Sequence, residues 1–388
     1  MSFITDKQTI DDLNVFSKSG SDSIYHIFNK TFTQGGAALL EEMFRSPLSD
    51  HQAINERVAI LRYFQESKTE FPLQGNRFEE AERYLSNTDP RSRLSNQGFS
   101  MADFNAAGQS VTALMEILQG LKKFMQDMEP KVAGNPYGKQ VTAVLALLNA
   151  KELELIFKDH GKGKISSGKI VEYDNILRFQ QRGLLEKILQ QIYHLDVCIS
   201  IARVATERGY IFATALQRDE NRLRVKGVYH PLLSRAIPNT LEMNPDGNIV
   251  FLTGANMAGK STFMKSLGIS VYLAHLGFPI AAAEMEFSVC DGMYTTINLP
   301  DNLAMGASHF YAEVLRVKKV AVELGAGKNL FVIFDELFRG TNVKDAYEGT
   351  IAIMEAFAKK PHSLFVVSTH IMEAGSVLRE RCPNMSFR

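Results

Sequence analysis

The sequence predicts an all-α region followed by an α/β domain with a mostly parallel sheet, and three observations carry that prediction. Up to about residue 206 the apolar residues recur at helical spacing. Beyond it, apolar runs without alternation, such as Leu330–Phe334 and Leu364–Val367, read as strands covered on both faces. One such run, Ile249 to Thr253, leads into Gly254-Ala255-Asn256-Met257-Ala258-Gly259-Lys260-Ser261-Thr262 and then an amphipathic helix starting near Thr262.

Taken in order, Ala37 to Phe44 opens a helix that Ser46-Pro47 ends. Asp50 is placed to cap a second helix running to about Glu66, with Ile54, Val58, Leu61 and Phe64 on one face. Val111 to Met128 and Val141 to Phe157 read as further amphipathic helices, and Tyr173 to about Glu207 as one very long helix. These stripes are helix-on-helix core and imply no ligand. The loop carrying Lys158, Lys162, Lys164 and Lys169 reads as a solvated turn in preference to a grip on phosphate backbone. The character of the chain changes at Glu207-Arg208-Gly209, which sets the expected domains at 1–206 and 207–388. Tyr210–Ala215 and Leu223–Val228 look like an antiparallel pair, His230-Pro231 opens a turn, and β/α alternation begins at Ile249.

Composition narrows the function. The 388 residues, 45% of them apolar, suffice for two or three domains with sizeable cores. Lys plus Arg and Asp plus Glu each number 43, so no global basic field announces a nucleic-acid partner and any DNA contact rests on local patches. Cys198, Cys290 and Cys382 are too far apart for a paired metal or redox motif, which points to a reducing compartment. The start lacks a secretory signal pattern and no apolar run reaches 18 residues. The expectation is a cytoplasmic protein with no membrane partner.

The chemistry lies in three segments. In the loop from Gly254 to Thr262, Gly254 and Gly259 permit backbone angles closed to other residues, so successive amide groups can converge on phosphate oxygens. Lys260 then reaches the terminal phosphates, Ser261 offers its hydroxyl to magnesium, and the following helix turns its positive end to the anion. Asn329 to Glu336 is a buried strand ending in two carboxylates: Asp335 is placed to support the magnesium and Glu336 to activate the attacking water. Leu364 to His370 is a third such strand, with His370 at its end placed to sense the γ-phosphate. A nucleoside triphosphate with Mg²⁺ is the ligand these residues call for, and Mg-dependent hydrolysis the reaction.

These residues resemble the MutS mismatch-repair ATPases, within the wider ABC-type P-loop NTPases. Asn256-Met257 inside the loop, Asp335-Glu336-Leu337-Phe338-Arg339-Gly340-Thr341-Asn342, and Ser368-Thr369-His370 are similar to the family's versions of those motifs. The stretch from Asp301 to Glu313 is similar to its signature segment, and His230-Pro231 falls where the family has its own His-Pro. Upstream, Ile24 to Leu48 and the spacing of Ile54, Arg57 and Ile60 resemble the start of the helical core, and His194 to Val197 followed by Ala202 to Gly209 the end of its lever helix. The resemblance implies a helical core/lever domain, an ABC-type ATPase domain, and a homodimer with composite sites in which Ser308 caps a phosphate held by the partner. It also implies action on duplex DNA, mainly through phosphates, together with repair partner proteins.

Several departures bear on function. The chain starts directly at the core, without the mismatch-reading and connector domains, and its last residues fall in an expected strand. Only Gly161 to Lys169 stands where the family inserts its DNA clamp, and Ala236-Ile237-Pro238 replaces the aromatic that stacks on adenine. Two readings therefore stand: an ATPase acting with DNA in mismatch repair or a related transaction, and a nucleotide-switched clamp on branched nucleic acid or ribosomes. A transport ATPase fits less well, because the long helical half does not look like a transporter coupling domain.

Overall fold

The computed structural model describes residues 3–17, 23–73, 75–89, 92, 94, 100–159, 165–254, 258–297, 309–338 and 340–388. Among these, the strands are β1 (Thr214–Leu216), β2 (Leu223–Val228), β3 (Asn239–Met243), β4 (Ile249–Leu252), β5 (Glu284–Ser288), β6 (Gly292–Thr296), β7 (Leu330–Phe334), β8 (Leu364–Ser368) and β9 (Met385–Phe387). One sheet has the order β6-β7-β8-β4-β9 and every pairing in it is parallel. The second, of order β1-β5-β2-β3, is mixed. β4, β7 and β8 are buried at every position, as their uninterrupted apolar runs require. The fold is mixed α/β with a parallel-rich sheet.

The expected pairing of Tyr210–Ala215 with Leu223–Val228 does not occur. β5 lies between β1 and β2, parallel to the first and antiparallel to the second. Its Met285 and Phe287 are buried opposite Val225 and Leu223, so alternating β5 supplies the partner face that a direct hairpin would have needed. A 3₁₀ turn at Arg218–Glu220 replaces the tight hairpin loop.

The chain falls into two units, one of residues 1–29, 41–58 and 203–388, the other of 30–40 and 59–202. Residues 41–58 fall in the first unit although they precede most of the second in sequence. The reason is the packing of the helix Lys260–His275, buried along most of its length. Tyr272 donates its hydroxyl to Phe44 O at 2.5 Å, the amide of Leu48 donates to His275 O at 2.8 Å, and Arg57 Nη1 donates to Leu276 O at 2.8 Å. Near the start of the chain, the helix Lys7–Asp12 packs on β6. Thr295 Oγ1 and the amide of Ile297 both donate to Asp12 Oδ2, at 2.8 and 2.9 Å. Asp6, just ahead of that helix, pairs with buried Arg316, and Lys319 Nζ donates to the same carboxylate at 2.6 Å.

The second unit is helical. Asp50 accepts from the amide of Ala53 at 2.7 Å, as an N-cap for the helix His51–Ser67, whose later part belongs to this unit. The helix expected from Val111 begins ten residues earlier, at Met101, because Ser100 and Asp103 form a reciprocal capping box. The helix expected over Val141–Phe157 is broken: Tyr137–Leu148 stops at Asn149, and Glu154–Asp159 follows a 3₁₀ turn. The long helix expected from Tyr173 is interrupted too, as Ser167–Asp174, a π-helical turn Asn175–Gln180, and Arg182–Arg208.

A buried ion pair sits on that π turn. Arg178 holds Asp174 in a two-pronged grip at 2.6 and 2.9 Å and donates to Ser92 O at 2.8 Å, while Tyr84 donates to Asp174 Oδ1 at 2.6 Å. A wider helical turn lets one short span serve all these partners. Further along, fully buried Asp196 accepts from the amide and hydroxyl of Thr33 at 2.9 and 2.7 Å and from the amide of Phe32 at 3.0 Å. Burial pushes its carboxyl up, and those hydrogen bonds oppose the shift. Of the lysine loop, Lys158 ends a helix, paired with Glu154 at 2.5 Å, and Lys169 lies in the helix Ser167–Asp174; Lys162 and Lys164 lie outside the described residues.

Two outcomes are expected. Replacing Arg178 with Met leaves a buried carboxylate without its counter-charge and should cost about 3–5 kcal/mol in urea denaturation, whereas replacing Asp174 by Leu as well should recover part of the loss. At Asp6, burial raises the carboxyl, but hydrogen bonds from Arg316 and Lys319 outweigh it and hold the group well below the usual carboxylate range. The stabilisation is therefore complete above the unfolded value of about 4 and fades as pH falls below it. Asp6→Asn should cost about 2 kcal/mol at pH 7, and the gap to the unmodified chain should begin to narrow below about pH 4 and still be narrowing below about pH 3, because it closes only as pH falls through the depressed folded value.

Candidate nucleotide site

Parallel pairing brings the ends of β4, β7 and β8 to one edge of the sheet. The segment after β4 contains Gly254 at φ 147° and Gly259 at φ 90°, the latter capping the helix Lys260–His275. Among the described residues a Cβ at either glycine would meet no atom within 4 Å, and the backbone angles are what call for glycine. Lys260 Nζ donates to Gly254 O at 2.6 Å, which folds the ammonium back across the loop. Ala258, Ser261 and Thr262 are exposed around the helix N-terminus. Ala255, Asn256 and Met257 lie outside the described residues, as does Ser308.

Beside it, Asp335 and Glu336 follow β7 directly and are half-buried. The amide of Asp335 donates to Thr296 O, at the end of β6, at 2.8 Å. Glu336 has φ 53° and Phe338 φ 61°, left-handed values that side chains rarely adopt. The contact that fixes this corner was not anticipated from sequence. Ser368, the last residue of β8 and fully buried, donates its hydroxyl to Asp335 Oδ1 at 2.6 Å and accepts from the amide of Glu336 at 2.9 Å. The amide of Leu337 donates to Ser368 O at 3.2 Å. Ser368 was legible only as part of Ser368-Thr369-His370; that a strand-end hydroxyl faces the neighbouring carboxylate needs the register. His370 stands past the strand end and is exposed, while Thr369 is buried and accepts from the amide of Ile371 at 3.1 Å.

Two further titratable groups are influenced by the helix Lys260–His275, the second of them at its far end from the loop. Burial and the charge of Lys265, on the helix that follows the loop, both push the His230 imidazole down. Cys290 Sγ lies 3.2 Å from His275 Nε2. Burial pushes that thiol up to about 12 and that imidazole down to about 4, so both are neutral at pH 7 and no thiolate nucleophile forms.

The donor set suits a hard cation held together with phosphates. Magnesium is ordinarily bound through one or two carboxylates, hydroxyls and substrate phosphate oxygens rather than by an all-protein cage. Asp335 and Ser261 provide such oxygens, and among the described residues no group of three or more His, Cys, Asp or Glu converges on a point. No helix of the described residues is long and apolar enough to cross a membrane.

Comparison with known proteins agrees with this layout. The family model for MutS domain III matches residues 8–202 and that for MutS domain V residues 250–386. The chain is 31% identical over 221 residues to the DNA mismatch repair protein MutS of Persephonella marina, which covers 55% of this chain and 25% of that protein. For the Thermus aquaticus protein of the same name the identity is 33% over 210 residues, covering 53% and 25%. For that of Thermus thermophilus it is 35% over 205 residues, covering 52% and 24%. The matching stretch spans about a quarter of the length of these relatives. With the domain III match alone covering half of its residues and the domain V match most of the rest, this chain belongs to the MutS family.

Proposed function

We propose that the chain is an ATP-binding and ATP-hydrolysing protein with a P-loop, ABC-type nucleotide domain, acting with DNA in mismatch repair or a related transaction. The observation that carries the reading is the convergence at one sheet edge of the glycine-bounded loop after β4 and the Asp335-Glu336 pair after β7. The amides of residues 254–259 and the ammonium of Lys260 bind the phosphates. Ser261 and Asp335 hold the magnesium, which supplies charge neutralisation on the phosphate oxygens when bound. Glu336 takes the proton of the attacking water, and His370 lies at the γ-phosphate end.

The active form is a homodimer in which Ser308 contributes to the partner's site. Contacts to DNA are mainly to phosphate, and repair proteins are further partners. The names of the relatives, DNA mismatch repair protein MutS, support the assignment to repair.

The test is Glu336→Gln. This variant should keep ATP affinity within about threefold while slowing turnover by about 10²–10⁴-fold, the usual contribution of a positioned base. Rates measured with homoduplex, mismatched and branched DNA then separate repair from other transactions. Unchanged turnover in Glu336→Gln would remove Glu336 from the base role.

A further inference from the structure

Ser368 occupies the centre of the proposed site without any role assigned to it so far. Its backbone pairs with Leu252 of β4, two residues before Gly254, so it stands between the loop and the carboxylate corner. On the other side Val367 pairs with Phe334, which puts Ser368 level with Asp335. A hydroxyl has one proton. At 2.6 Å that proton is committed to Asp335 Oδ1, which fixes the rotation of the carboxylate and so the direction in which its remaining lone pairs point. The lone pairs of the same hydroxyl face the amide of Glu336 at 2.9 Å, and the Ser368 carbonyl takes the amide of Leu337 at 3.2 Å. Three consecutive residues are thus tied to one, and the middle one is held at φ 53°.

We propose that Ser368 is a positioning residue: its hydroxyl sets the orientation of the metal-side carboxylate of Asp335 and, through the amide of Glu336, that of the base. The proposal rests on the ATP reading given above. Ser368 acts through these two neighbours, by fixing how the Asp335 carboxylate faces the metal and by pinning a left-handed residue that would otherwise relax. Ser368→Ala removes both hydrogen bonds in a fully buried position yet leaves the strand and its backbone pairing in place. Ser368→Thr keeps the hydroxyl.

The experiment measures binding of a fluorescent ATP analogue as a function of Mg²⁺, together with kcat and KM. In Ser368→Ala the Mg²⁺ concentration for half-maximal binding should rise about tenfold and kcat should fall about 10–100-fold, the usual effect of losing an outer partner of a metal ligand. Binding in EDTA and KM at saturating Mg²⁺ should stay within about twofold, since the phosphate loop is untouched. Ser368→Thr should restore the Mg²⁺ dependence. In the Asp335→Ala background, Ser368→Ala should add nothing to the loss of Mg²⁺ dependence, because the two act as one unit. Full additivity there, or an unchanged Mg²⁺ dependence and kcat in the single variant, overturns the proposal. If the unmodified chain shows no Mg²⁺-dependent nucleotide binding, the ATP reading itself fails and the positioning role falls with it.

Discussion

Parallel pairing of β4 with β8 and of β8 with β7 is the constraint on which the proposed site depends. Parallel neighbours end on the same side, so three segments far apart in sequence, after residues 252, 334 and 368, emerge at one edge. Antiparallel pairing would send alternate ends to opposite edges and separate the glycine loop from the carboxylates. The strands sustain this arrangement because they are buried throughout, and the apolar cluster of Phe251, Val332, Phe334, Phe365 and Val367 fills the space beside them. Open parallel sheets of this kind place ligands beyond the carboxyl ends of their strands.

Rigidity at that edge comes from hydrogen bonding of the chain ends rather than from packing alone. A non-glycine residue in the left-handed region costs roughly 1–2 kcal/mol, and both Glu336 and Phe338 are held there. The hydroxyl and carbonyl of Ser368, the carbonyl of Thr296 and the turn into the helix Val343–Ala358 offset that cost. Strain of this kind persists where the surroundings determine the backbone from several sides. Here they do so next to the two carboxylates on which the proposed chemistry depends.

Much of this was legible in the sequence, for identifiable reasons. The strand before the glycine-bounded segment and the helix after it were both readable, and unbroken apolar runs placed β7 and β8 to within two residues. The N-cap Asp50 was readable because capping is local. What escaped were relations between distant residues. β5 inserts between β1 and β2, and Asp6 pairs with Arg316 across more than three hundred residues. The π turn at Asn175–Gln180 depends on Arg178 reaching Asp174 and Ser92 together, which no apolar periodicity encodes. Ser368 belongs with these, since its partner is defined only by strand register.

The central claim is that the loop capped by Gly259 binds triphosphate through Lys260. Isothermal titration of ATP with Mg²⁺ into the unmodified chain and into Lys260→Ala tests it most directly. The account predicts saturable binding at one site per chain, weakened at least about tenfold in the variant through loss of a charge-assisted contact to phosphate. Equal affinity in the two proteins, or no saturable binding in the unmodified chain, would contradict it.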